Sequence, residues 1–236
     1  MKILALDSSA TVASVAICDG ERLLAEYTLN NGNTHSETIL PMIEDLLSKF
    51  NMSANDIDLF AASSGPGSFT GVRIGAATLK GLAFGKNKPC VEVSTLEALA
   101  ENLVVTNGLI CAVMNARRSQ VYTALFRSDG EKLTRLTEDS AMAIEELDSL
   151  LSEYGEPVRF CGDGYGITVS ALKKTVFLPV PDRLRHQSAY SVACVAARQF
   201  AQGNAVTDRQ FKVTYLRPSQ AERELMEKNN TKEETK

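Results

Sequence analysis

Ser63-Ser64-Gly65-Pro66-Gly67-Ser68-Phe69-Thr70-Gly71-Val72-Arg73-Ile74-Gly75-Ala76-Ala77-Thr78-Leu79-Lys80-Gly81-Leu82-Ala83-Phe84-Gly85 reads as a strand end, a glycine–proline turn and a long helix. Proline fixes φ, and glycine reaches backbone angles that other residues avoid. Ser68 or Thr70 is placed to cap the helix. From Val72 to Phe84 the only charges are Arg73 and Lys80, seven residues apart and so on one face. Val72, Ala76, Leu79 and Ala83 form one apolar stripe. Ile74, Ala77, Gly81 and Phe84 form a second, and Gly71, Gly75, Thr78, Leu82 and Gly85 a third, mostly of small residues. A helix apolar nearly all round is covered on more than one side. Each glycine costs roughly 1 kcal/mol against alanine, which the close approach of another backbone offsets. Two readings stay open: tight packing on the chain's own sheet, or one face on the sheet and another on a partner. As a phosphate loop the turn is weak, because neither a Gly-Lys-Ser/Thr ending nor G-x-G-x-x-G is present.

Upstream, Lys2 to Ser9 is a buried strand ending at Asp7-Ser8-Ser9. Thr11 to Cys18 and Glu21 to Leu29 flank the hairpin signal Asp19-Gly20. A helix follows over about His35 to Phe50, with Pro41 inside it predicting a kink or a later true start. After the glycine-rich helix come a strand at Pro89 to Val93 and a helix from Thr95 to Leu103 capped by Ser94. The order of elements then begins again. Strands are expected over Leu109–Met114, Gln120–Arg127 and Glu131–Leu136, and a helix over Ala143–Tyr154. A strand at Val158–Cys161, a helix at Thr168–Lys174, a strand at Val176–Leu178 and a long helix at Ser188–Gln202 complete this half, and Phe211–Leu216 reads as extended. Each half reads as a hairpin, a third strand, a helix, a strand and a helix. The expected fold is therefore α/β, two tandem ribonuclease-H-like lobes of the actin-like ATPase type, with mixed sheets flanked by helices. The boundaries fall at 1–104 and 105–218, with helix 188–203 packing back on the first lobe. The charged segment 219–236 has little to bury and is expected to be mobile.

The bulk numbers narrow the class. The chain has 236 residues, 44% hydrophobic and 23% charged, ordinary values for a globular protein. No apolar run approaches the ~18 residues of a membrane span, and Met1-Lys2-Ile3-Leu4 enters a strand pattern directly rather than a signal-peptide profile. The five cysteines are scattered without C-x-x-C, which suits free thiols in a reducing, cytoplasmic setting. A net charge of −4 argues against a chain that binds nucleic acid by itself.

Few residues offer chemistry. Asp7, Ser8 and Ser9 stand where an actin-like protein meets phosphates and Mg²⁺; capping of the hairpin turn is the alternative. The second half supplies Asn115-Ala116-Arg117-Arg118 at the matching place, and an amide is no general base. The two histidines, His35 and His186, are isolated, without metal-ligand spacing or a neighbouring nucleophile. Arg117-Arg118, Lys173-Lys174 and Arg183-x-Arg185 read either as an anion contact or as solvated surface charge.

Gly65-Pro66-Gly67-Ser68-Phe69-Thr70-Gly71-Val72-Arg73-Ile74-Gly75 makes a resemblance specific. Together with Ile3-Leu4-Ala5-Leu6-Asp7-Ser8-Ser9, His35 followed by Ile39-Leu40-Pro41-Met42, Val93-Ser94-Thr95-Leu96, Asn115-Ala116-Arg117, Val121-Tyr122 and Tyr215-Leu216-Arg217, it resembles the TsaB (YeaZ) family to about residue 218. The resemblance implies a non-catalytic scaffold or activator for making threonylcarbamoyladenosine in tRNA. Its catalytic paralogue is TsaD, joined by the ATPase TsaE, and TsaC makes the adenylate. It implies a homodimer when alone, tRNA contact only through the complex, and no cofactor of its own beyond ATP or ADP shared in the complex. The implied pairing surface comprises Leu40, Ile43 and Leu47 with Gly71, Val72, Gly75, Ala76, Thr78, Leu79 and Leu82. Thr95 and Leu99 stand where the paralogue carries a metal-binding His-x-x-x-His, and Asn115 and Gln120 replace acids usual in the family. An actin-like ATPase or phosphotransferase is the rival reading, and a glycoprotease-like peptidase the third.

Overall fold

The first hairpin is built by β1 (Lys2–Asp7) and β2 (Ala13–Asp19), which pair antiparallel, and β2 pairs antiparallel with β3 (Arg22–Leu29). Asp19 pairs with Arg22, so Gly20 and Glu21 form the turn, one residue later than the Asp19-Gly20 signal suggests. α1 (His35–Lys49) leads through a short 3₁₀ turn to β4 (Leu59–Gly65), α2 (Phe69–Ala83) and β5 (Cys90–Ser94). The sheet order is β3-β2-β1-β4-β5, with β4 parallel to both β1 and β5. The computed structural model describes residues 1–217; the charged segment expected from 219 lies outside them.

The second half repeats the plan. α3 (Thr95–Glu101) leads into β6 (Asn107–Asn115), β7 (Gln120–Asp129), β8 (Leu133–Arg135), β9 (Ser140–Ala143), α4 (Ile144–Ser152), β10 (Val158–Cys161), α5 (Tyr165–Ala171) and β11 (Phe177–Leu178). The sheet order is β11-β10-β6-β7-β8, with β9 also pairing β7. β9 is absent from the sequence expectation: Ser140–Ala143 is too short to show a period of its own, and only pairing with Gln120–Thr123 makes it a strand. α5 starts at Tyr165, earlier than expected, directly after the tight loop at Gly162–Gly164. α1 begins at His35 and runs through Pro41, so the later start does not occur. Pro41 is exposed, where water can serve the carbonyl that loses its helical partner.

Alternation along β1 explains the layers. Leu4 and Leu6 face a core built with α1 and α2, around Ile39, Ile43, Leu46, Phe60, Ala76 and Leu79. Ile3 and Ala5 face the opposite core, filled by Ala189, Val192, Ala193, Val195 and Ala196 of α6 (Ala189–Ala201). Period-two alternation places these neighbours on opposite faces of one sheet. The last helix thus packs on the first sheet. Its N-terminus is held there: Ser188 Oγ donates to Glu26 Oε1 at 2.8 Å, and the Ala189 N–H to Ser14 Oγ at 2.9 Å. α3 packs beside α6 and covers the inner face of the second sheet with Leu96 and Leu99, joined by Leu103 just after it. α4 and α5 flank its outer face over Leu109, Cys111, Leu125 and Phe160.

Candidate functional site

Two places gather the candidate residues: the end of β1, and the outer face of α1 and α2. At the strand end Asp7, Ser8 and Ser9 are all buried. The Ser9 N–H and hydroxyl donate to Asp7 Oδ1 at 2.8 and 2.6 Å, and the Ser63 hydroxyl donates to Oδ2. Burial pushes the Asp7 carboxyl above its ordinary range, against the pull of these hydrogen bonds. Ser8 Oγ donates to the Gly71 carbonyl at 2.9 Å, and the Ser68 N–H donates to the Ser9 carbonyl at 2.7 Å. Across from them His35 Nε2 lies 2.5 Å from the Ala10 carbonyl. The three side chains therefore tie β1 to β4 and α2 and aim no free donor at a phosphate. As an ATP or ADP cradle they do not fit; Asp7 Oδ1 takes the local Ser9 donors, while Ser8 and Ser63 bridge to other elements. Among the described residues no group of three or more His, Cys, Asp or Glu is arranged to hold a metal ion.

α2 starts where Ser68 caps it, its Oγ accepting the Gly71 N–H at 3.2 Å. The glycines of its first turns are required by β1. A Cβ on Gly71 would stand 2.0 Å from the Ser8 carbonyl oxygen, and one on Gly75 2.5 Å from Ser8 Oγ and 3.0 Å from Leu6 Cδ1. This corrects the expected pairing surface. Gly71, Val72, Gly75, Ala76 and Leu79 of α2, with Ile43 and Leu47 of α1, are buried inside the first lobe. Thr78 and Leu82 are half-buried, Leu82 against the same core. Of the residues named, Leu40 stands clear, 44% exposed. The small-residue stripe approaches a backbone, as the glycine count requires, and that backbone is the chain's own strand.

The exposed stripe of α2 is the second one: Ala77 and Gly81 are exposed, Ile74 half-buried, and Phe84 68% exposed. A Cβ on Gly81 would meet nothing within 4 Å. α1 packs alongside and adds Leu40 and Pro41. The exposed charges are Glu37, Glu44, Asp45 and Lys49 on α1 and Arg73 on α2. Arg73 is held in place: its guanidinium lies 3.8 Å from the Phe69 ring centroid, and its Nε donates to the Tyr215 hydroxyl at 2.7 Å. Phe69 and Tyr215 stack at 4.8 Å. Phe69 and Arg73 are four apart on one helix, a readable pair; nothing in the sequence brings Tyr215 to them. That residue arrives on the extended segment after Phe211, whose Thr214 N–H donates to the Ser64 carbonyl at 2.7 Å. Thr214 would collide with any side chain at Gly65, whose φ is 119°.

The candidate basic groups separate. Arg185 stacks on Tyr165 at 3.8 Å and its Nε donates to the Val180 carbonyl, so it is engaged within the second lobe. The backbone N–H groups of Lys173 and Lys174 donate to Asp148. Arg117 and Arg118 are exposed at the β6–β7 turn.

Comparison with known proteins agrees with this architecture. The family model described as TsaD, tRNA N6-adenosine threonylcarbamoyltransferase, matches residues 22–231. The tRNA threonylcarbamoyladenosine biosynthesis protein TsaB of Escherichia coli (strain K12) is 31% identical over 229 residues, covering 95% of this chain and 98% of the relative. That of Bacillus subtilis (strain 168) is 35% identical over 162 residues, covering 69% of this chain and 71% of the relative. Among solved structures, YeaZ from Pseudomonas aeruginosa superposes with a TM-score of 0.78 at 27% identity, over 91% of this chain and 99% of that one. The chain belongs to the TsaB (YeaZ) family, within the range of the TsaD family model, and these two curated relatives are named for tRNA threonylcarbamoyladenosine biosynthesis.

Proposed function

We propose that the protein is a non-catalytic subunit that supports TsaD in forming threonylcarbamoyladenosine on tRNA, pairing through the outer face of α1 and α2. Alone it pairs with a second copy through the same face, and it works in the cytoplasm beside TsaE. The observation that carries this reading is the outer stripe of α2, where Ala77, Gly81 and Phe84 are exposed and Ile74 half-buried, with Leu40 exposed on the neighbouring α1. Apolar surface left in water costs roughly 25 cal/mol per Å², and a contiguous patch of it marks an association site. Ala77 and Gly81 would let a partner helix come close, while Leu40 and Phe84 would fill the flanks. The non-catalytic part of the reading is supported by the engagement of Asp7, Ser8 and Ser9 inside the fold, and by Asn115 in place of an acid. The test is reconstitution of tRNA modification from TsaC, TsaD and TsaE, with and without this chain. Threonylcarbamoyladenosine should form only when the chain is present. Full modification without it, or ATP turnover by the lone chain that Asp7→Ala abolishes, would contradict the reading.

A further inference from the structure

The turn between β6 and β7 is built unlike the other turns among the described residues. Arg117, Arg118 and Ser119 are consecutive and all left-handed, with φ of 63°, 54° and 56°. No glycine relieves them, so the conformation is held against its own steric preference. Hydrogen bonds from neighbouring segments hold it. Asn115 Oδ1 accepts the Arg117 N–H at 2.8 Å, and the Ala116 and Gln120 N–H groups close the turn at 3.0 and 3.2 Å. Arg217 donates to the Ala116 carbonyl at 3.0 Å, and the Ile144 N–H to the Ser119 carbonyl at 3.3 Å. Strain enforced by surrounding contacts is a feature of ligand clamps.

The turn overhangs a cavity of about 420 Å³ lined by Asn115, Arg117, Arg118, Ser119, Ile144, Glu145, Ile167 and Ala171. Its apolar part is Ile144, Ile167 and Ala171, and Arg117 and Arg118 line it as well. The arginine ion pairs among the described residues belong to Arg127, Arg135, Arg185 and Arg198, so Arg117 and Arg118 have no carboxylate partner there. Glu145 shares the cavity without pairing with either. A planar guanidinium group suits a phosphate, which it can grip through two parallel N–H donors. A cavity of this size with an apolar part suits a small flat group attached to that phosphate.

We infer that the Arg117–Arg118 turn is a phosphate-binding site that takes one nucleotide unit, its phosphate on the two guanidinium groups and its base against Ile144 and Ile167. The unit comes either from an RNA strand or from a free nucleotide. The site lies on the second lobe, so the inference does not rest on pairing through α1 and α2.

The experiment titrates the full-length chain with a labelled single-stranded RNA of about ten nucleotides, and separately with ATP, over a series of salt concentrations. Arg117→Gln/Arg118→Gln is the first variant. Ile167→Glu is the second; it keeps both arginines and places a charge against the incoming base. Circular dichroism and sedimentation establish that fold and self-association are unchanged, which separates this result from any failure of the pairing surface. The wild type should bind one probe, and each variant should lose about tenfold or more in affinity. If RNA is the source, the double variant should also flatten the salt slope by about 0.7 for each phosphate contact removed. Binding of ATP alone, lost in both variants, assigns the site to a free nucleotide. No binding of either probe, or equal binding by the wild type and the folded double variant, overturns the inference.

Discussion

A Cβ placed on Gly75 would lie 2.5 Å from the Oγ of Ser8, the hydroxyl that itself donates to the Gly71 carbonyl at 2.9 Å. Ser8 therefore docks the first turns of α2 onto the end of β1. Gly75→Arg should unfold the first lobe instead of blocking a partner, and Gly71→Ala should destabilise it by overpacking, by about 1–3 kcal/mol. Gly81→Ala, facing open space in the same helix, should be neutral or raise stability by up to ~1 kcal/mol. Thermal melts followed by circular dichroism decide this. A Gly75→Arg protein melting like the wild type would refute the packing.

Asp7 carries a folded-state pKa raised by burial above the 3.8 of an ordinary aspartate. The folded protein therefore holds this proton more tightly than the unfolded chain does. The associated stability is fully present below pH 3.8 and is lost as pH rises through the folded pKa. Asp7→Asn removes the titration and keeps a carbonyl acceptor for the Ser9 N–H and hydroxyl. Its melting temperature should equal or exceed that of the wild type at neutral pH, and the advantage should shrink toward pH 4. A variant that loses stability at neutral pH, with the loss fading toward pH 4, would show that the charge itself is needed; an equal loss at every pH would trace to the Ser63 hydrogen bond or packing.

Asp148 titrates the other way. Burial pushes its carboxyl up, but the N–H groups of Lys173, Lys174 and Thr175, at 2.8, 3.0 and 2.9 Å, hold it below the usual range. Its contribution is present above pH 3.8 and is lost as pH falls through the lower folded value. Asp148→Ala leaves three donors without an acceptor and should cost about 1–3 kcal/mol near neutral pH. The gap from the wild type should narrow in melts at pH 3. An unchanged gap would mean the loss is one of packing.

Most of the fold is legible because it rests on local signals. The alternation of Ile3 to Leu6, the cap at Ser68 and the strand-length runs at Leu59 and Val158 need no knowledge of distant contacts. β9 depends wholly on its pairing with β7, and Tyr215 reaches Arg73 across 142 residues of chain, so neither is written locally. The residues expected to pair on α2 lie one stripe away from its exposed stripe for a related reason. Gly71 and Gly75 announce a close approach, but a glycine does not say whose backbone approaches. Likewise Asp7-Ser8-Ser9 has the residue types of a phosphate site, and only the positions of Ser63 and Gly71 show those groups engaged.

Gly81→Arg tests the proposed pairing face most directly, because a Cβ there meets nothing within 4 Å. If the face pairs, the substitution brings a charge into a contact that desolvates it, which costs several kcal/mol when the charge is unpaired. Each ~1.4 kcal/mol is tenfold in affinity. Sedimentation velocity of the variant, alone and mixed with TsaD, is the measurement, with circular dichroism confirming the fold. The account predicts a folded monomer that does not co-sediment with TsaD at concentrations where the wild type pairs; a folded Gly81→Arg chain that still self-associates and binds TsaD like the wild type would contradict it.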